Sequence, residues 1–85
     1  MVTRADFERT LNQIFAQAEK VNKSTIQVNS GKLHRLVGGY LGSNHRMPVC
    51  CGVMNRAKGK GDKIISAPPS GLGASLTIEY KLPRS

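Results

Sequence analysis

NHRMPVCCGVMNRAKGKG, residues 44–61, sets two adjacent cysteines among five basic side chains, counting His45, and holds no carboxylate. It could be a metal site, a redox pair, or one face of a helix that touches something negative. Zinc sites separate paired cysteines by two to four residues and add further ligands at similar spacing. Cys50 and Cys51 are adjacent, and on a helix their side chains diverge by about 100°. His34 and His45 are the only histidines, and positions 45 and 50 do not turn the same way on a helix. A vicinal disulfide would break the helix. Buried thiols pack as small apolar side chains. The stretch is therefore predicted to be a helix with its thiols in the core, and no metal or other cofactor is expected.

Ser43 or Asn44 caps this helix, and Pro48 is acceptable because it falls near the start. Gly59 and Gly61 stop it after about Ala57. Met47, Cys50, Cys51, Met54 and Ala57 share the inner face. His45, Val49, Gly52, Asn55 and Arg56 lie nearly opposite. Gly52 lets that outer face come close to a groove, where Arg can read guanine and Asn adenine. His45 and Arg46 stand at the helix start, beside free backbone N–H groups that favour phosphate. Lys58, Lys60 and Lys63 follow in a segment expected to be flexible, adding charge without sequence information. The plain alternative is a solvated basic face on a helix weakened by Gly52.

Upstream, Phe7, Leu11, Ile14, Phe15, Ala18 and Val21 recur at helical spacing, which predicts a helix over 3–21. Thr3 is its N-cap, with Asp6 as a short-armed capping-box partner. Residues 23–29 change to period two and predict a short strand ended by Ser30-Gly31. Ser30 is also a plausible cap for a helix over about 31–38. There Leu33, Leu36 and Val37 face inward, and His34 and Arg35 face out as a further basic pair. The turn-rich GGYLGSN follows. Downstream, KIISA and ASLTIEYKL flank the loop PPSGLG and predict a hairpin, with Leu76, Ile78, Tyr80 and Leu82 on one side.

Thirteen Lys and Arg against five acids give a net charge of +8 over 85 residues. Eight of those cations (Lys20, Lys23, Lys32, Arg35, Arg46, Arg56, Lys58 and Lys60) fall between Lys20 and Gly61 with no Asp or Glu among them. A field concentrated mid-chain suits a polyanion, of which nucleic acid is the commonest. The length allows one domain, residues 1–85, with a thin core. No apolar run is long enough for a membrane span, and the first ten residues lack a signal-peptide core. The thiols fit a reducing compartment. An intracellular, cytoplasmic location is expected, at the nucleoid or in the nucleus if the cell is eukaryotic.

The order helix, strand, helix, turn, helix, strand, loop, strand resembles the winged-helix variant of the helix-turn-helix DNA-binding domains. The resemblance covers Thr3 to Pro83 and is one of pattern, with no diagnostic motif. It implies an α+β fold: a winged-helix-like three-helix domain with a C-terminal β-hairpin. Residues 31–38 would support a recognition helix at 44–58, and 68–74 would form the wing tip. One departure is that PPSGLGAS carries no Arg or Lys, so this wing is weak or serves a protein partner.

The expected function is a small basic module that binds nucleic acid, most of all double-stranded DNA. Its candidate contacts are Arg46, Arg56, Asn55, His45, Lys58, Lys60, Lys63, Arg35 and Lys32. An RNA-binding domain is one alternative, with only Tyr40 and Tyr80 available to stack bases. Another is a protein-interaction domain that binds an acidic partner or serves as an accessory subunit of a larger complex, marked by an exposed apolar patch around Val49, Leu72 and Leu41. A homodimer is a further expectation. No arrangement of nucleophile, base and acid can be assembled from the five carboxylates and two histidines, so the chain is not expected to be an enzyme.

Overall fold

The computed structural model describes residues 3–38, 47–68 and 73–83. The first helix, α1, spans Arg4–Lys20 and opens on the anticipated capping box. The Thr3 N–H donates to Asp6 Oδ2 at 2.8 Å, and the Asp6 N–H donates back to Thr3 Oγ1 at 3.4 Å. The Thr3 hydrogen bonds hold the Asp6 carboxyl below its ordinary value. Helix α1 stops where Asn22 turns left-handed at φ 63°, a conformation that Asn tolerates better than most residues. Val21, the C-cap residue just before that turn, is exposed and not part of the buried stripe as its spacing suggested.

Strand β1 covers Thr25–Asn29 and runs directly into α2, Ser30–Val37. Helix α3 is Met47–Ala57, and strands β2, Lys63–Ser66, and β3, Thr77–Lys81, follow. The described residues thus form three helices and a three-stranded antiparallel sheet of order β1-β3-β2. The fold is α+β, and the two C-terminal strands pair as the expected hairpin.

Alternation decides the faces of the sheet. Val28, Ile78 and Tyr80 point to the helices and are buried, while Thr25, Gln27, Lys63 and Lys81 point to water. One packed face and one wet face is the usual economy of an antiparallel sheet. Tyr80 sits edge-to-face on Phe15 with centroids 4.9 Å apart, and its hydroxyl donates to the Met54 carbonyl at 2.8 Å. Fully buried there, it offers no stacking platform to an RNA base.

The start of α2 is clamped to the segment that enters β3. The Ser30 N–H donates to the Leu76 carbonyl at 2.8 Å and the Gly31 N–H to the Ala74 carbonyl at 3.2 Å. The Ser30 hydroxyl donates to the Gly73 carbonyl at 2.6 Å. Ser30 is therefore the first helical residue and not the cap. Asn29 caps instead, its Oδ1 accepting the Lys32 N–H at 3.1 Å. This clamp sets the rotation of α2, so the buried stripe runs through Ser30, Leu33 and His34. His34 faces inward, edge-to-face on Phe7 at 4.9 Å, and Leu36 faces out at 67% exposure. Both reverse the expectation from hydrophobicity alone.

Candidate nucleic-acid interface

Helix α3 lies against both α1 and α2. Its buried side is accordingly wide: Met47, Cys50, Cys51, Val53 and Met54. Val49, expected outside, is half-buried and packs on the core. What remains exposed is a narrower stripe of Pro48, Gly52, Asn55 and Arg56, at the i, i+4, i+7, i+8 spacing of one helix face. A Cβ built on Gly52 would meet nothing within 4 Å.

The thiols serve the interior. Cys50 Sγ donates to the Ser30 carbonyl at 3.5 Å and Cys51 Sγ to the Gly73 carbonyl at 3.4 Å. Burial, and secondarily the neighbouring Cys51, pushes the Cys50 thiol up to about 12; burial also raises Cys51. Neutral, unreactive thiols are what such surroundings give. Among the described residues, no three His, Cys, Asp or Glu side chains come together as a metal-ligand set.

After Ala57 the chain is more ordered than its glycines suggested. The Gly59 N–H donates to Asp62 Oδ2 at 2.7 Å, and the Asp62 N–H donates to the Gly59 carbonyl at 3.1 Å. Asp62 Oδ1 also accepts the Lys81 N–H from β3 at 2.7 Å. The segment carrying Lys58 and Lys60 is thus a pinned turn, with both lysines exposed. Lys63 is not in a flexible tail; it lies in β2 opposite Glu79, so a carboxylate on the same sheet face offsets its charge. Arg56 also has an acidic neighbour, since it borders a groove of about 240 Å³ shared with Glu8, Leu11 and Asn12.

Lys32 and Arg35 are exposed on α2, but Lys32 is rooted elsewhere. It sits beside Asn29, which pairs with Thr77 at one end of the sheet, whereas Lys81 and the Lys58–Lys63 turn mark the other. Four residue steps along β3 separate these ends, roughly 13 Å. Helix α3 bridges them: Cys50 touches Ser30 at the first end, and Met54 touches Tyr80 toward the second. His45 and Arg46, the expected helix cap, Tyr40, Leu41 and most of the 68–74 loop lie outside the described residues. The base of that loop is engaged internally, with Gly73 against Pro68 and its carbonyl accepting from Ser30 and Cys51.

Lys81 and Asp62 were missed from the sequence. The alternation of TIEYK put Lys81 on the wet face, but its neighbourhood with the 58–63 turn depends on strand pairing. Asp62 looked like one stray acid at the edge of a basic run.

No protein-family model, no curated protein and no solved structure matches this chain. Among the described residues, no helix is long and apolar enough to cross a membrane.

Proposed function

We propose that the protein is a winged-helix-like nucleic-acid-binding module that presents α3 to duplex DNA. The observation that carries the proposal is the outer stripe of α3. Along the chain, Pro48, Gly52, Asn55 and Arg56 run without a carboxylate into exposed Lys58 and Lys60, Asp62 beyond them is buried and hydrogen-bonded, and Glu8 across the groove beside Arg56 is the acid that borders the stripe. The element order, with β3 between β1 and β2, supports the winged-helix part of the reading. Gly52 allows close approach, Asn55 and Arg56 offer base-edge hydrogen bonds, and the lysines neutralise phosphate. Binding, not catalysis, is the activity proposed, and it is placed inside the cell.

Fluorescence anisotropy with a random-sequence duplex tests this. Binding is expected at low salt and should fall steeply as salt rises. Replacing Arg56, Lys58 and Lys60 together with alanine should lower affinity and shrink the log–log salt slope by about two contacts' worth, ~0.9 for each lysine. No binding at low salt, or an unchanged slope in the triple variant, rejects the proposal.

A second reading, a protein-interaction surface, is favoured by a separate feature. A groove of about 530 Å³ between α1, β1 and α2 is lined by Ile14, Val21, Ile26 and Leu36, with Lys23 at its rim. The same anisotropy experiment with single-stranded RNA distinguishes an RNA reader.

A further inference from the structure

We infer that Asp62 is a positioning residue for phosphate contact: its carboxylate fastens the Lys58–Lys63 turn to the end of β3, holding Lys58 and Lys60 as one cationic site for a nucleic-acid backbone. The inference rests on the nucleic-acid reading above. Asp62 is only 8% exposed. Its two carboxylate oxygens are split between two chain segments, Oδ2 accepting the Gly59 N–H and Oδ1 the Lys81 N–H, each at 2.7 Å. Gly61 adopts φ 94°, and a Cβ there would lie 3.5 Å from Lys81 Cδ, so the Lys81 methylenes cover the turn.

The physical consequence is preorganisation. Two glycines alternating with two lysines would otherwise leave the ammonium groups to wander, and immobilising them would weaken each phosphate contact on binding. Folding around Asp62 fixes the backbone of that segment beforehand. Charge and position therefore oppose each other at this residue. By Coulomb's law alone, removing a carboxylate from beside lysines should strengthen the attraction for DNA. If the carboxylate positions the lysines, its removal weakens binding instead.

Three variants separate the effects: Asp62→Ala, Asp62→Asn and Glu79→Gln. All three raise the net charge by the same amount. Glu79 stands on the wet sheet face opposite Lys63, where its loss changes the field without releasing the turn. Duplex affinity is measured at several salt concentrations, below each variant's melting temperature by circular dichroism. Glu79→Gln should bind more tightly than wild type. Asp62→Ala should bind about tenfold more weakly, with a salt slope reduced by one to two phosphate contacts. Asp62→Asn, which keeps an acceptor oxygen, should fall between them. A folded Asp62→Ala that tightens like Glu79→Gln overturns the inference and leaves the DNA reading standing. If Asp62→Ala does not fold, Asp62→Asn decides: affinity equal to or above that of Glu79→Gln overturns the inference, and any lower affinity upholds it. Absence of duplex binding by the wild type at low salt removes both the DNA reading and the inference.

Discussion

At the scale of single residues, burial governs chemistry. Cys50 has no exposed surface and shares its surroundings with Cys51. An ionised thiolate would lose its hydration there, so the folded protein holds the Cys50 proton from an ordinary value of 9.0 up to about 12. The folded state then binds more protons than the unfolded chain between about pH 9 and 12. Stabilisation from the buried thiol is complete below that pH and is lost as pH rises from 9 through about 12. Urea midpoints should fall above pH 9, and less so for Cys50→Ala than for wild type. Iodoacetamide at neutral pH should leave both thiols of the native protein unmodified and alkylate both in urea, read by mass spectrometry. Native labelling at the unfolded rate would contradict the buried placement. The inward placement of both cysteines was legible from their helical phase. That of His34 was not, because hydropathy ranks Leu36 above it and only the α2 clamp rotates the histidine onto Phe7.

At the scale of elements, two helical glycines do opposite work. Gly31 sits where α2 crosses the segment before β3, and a Cβ there would press to 3.1 Å on both the Ala74 carbonyl and Asn29 Oδ1. Gly31→Ala should therefore destabilise the fold by about 1–3 kcal/mol, as overpacking does, and disturb the Asn29 cap. Gly52 faces open space on α3, so Gly52→Ala should stabilise by ~1 kcal/mol through helix propensity. Urea denaturation checks both signs. If Gly52 lets α3 approach DNA, the more stable Gly52→Ala should also bind the duplex more weakly; unchanged affinity would make Gly52 a mere weak point of the helix. The elements themselves were readable to within a few residues. Periods of three-to-four and two are local properties, and the Thr3–Asp6 cap is a local hydrogen-bond pattern. Details that require a neighbour escaped. Ser30 looked like a cap because nothing in the local sequence reveals the Gly73 carbonyl that occupies its hydroxyl.

At the scale of the whole molecule, the described lysines of the candidate interface stand in two places. Helix α3 is 11 residues long, roughly 16 Å at ~1.5 Å per residue, somewhat more than the ≈ 12 Å width of a major groove. Lys32 is rooted at one end of the sheet and Lys58 and Lys60 at the other, positions suited to opposite walls of one groove. Under the proposed function, Lys32→Ala should reduce the salt slope by about one contact, and Lys58→Ala with Lys60→Ala by about two. Because the sites share no partner, the losses should add in log affinity. A Lys32→Ala variant with wild-type affinity and slope would confine DNA contact to the Lys58–Lys60 end.

The sequence by itself determined the order of helices and strands, the capping of α1, the alternation of β3 and the excess of positive charge. The charge is a sum over the chain, and the others depend on residues within a turn or two of one another, where backbone periodicity and short-range hydrogen bonds suffice. The tertiary structure alone decided the rotation of α2, the pinning of the lysine turn by Asp62, the pairing of Lys63 with Glu79 and the placement of Lys32 at the opposite end of the sheet from Lys58 and Lys60. Those outcomes depend on contacts between residues distant in the chain, whose geometry exists only after the sheet has paired and the helices have closed over it.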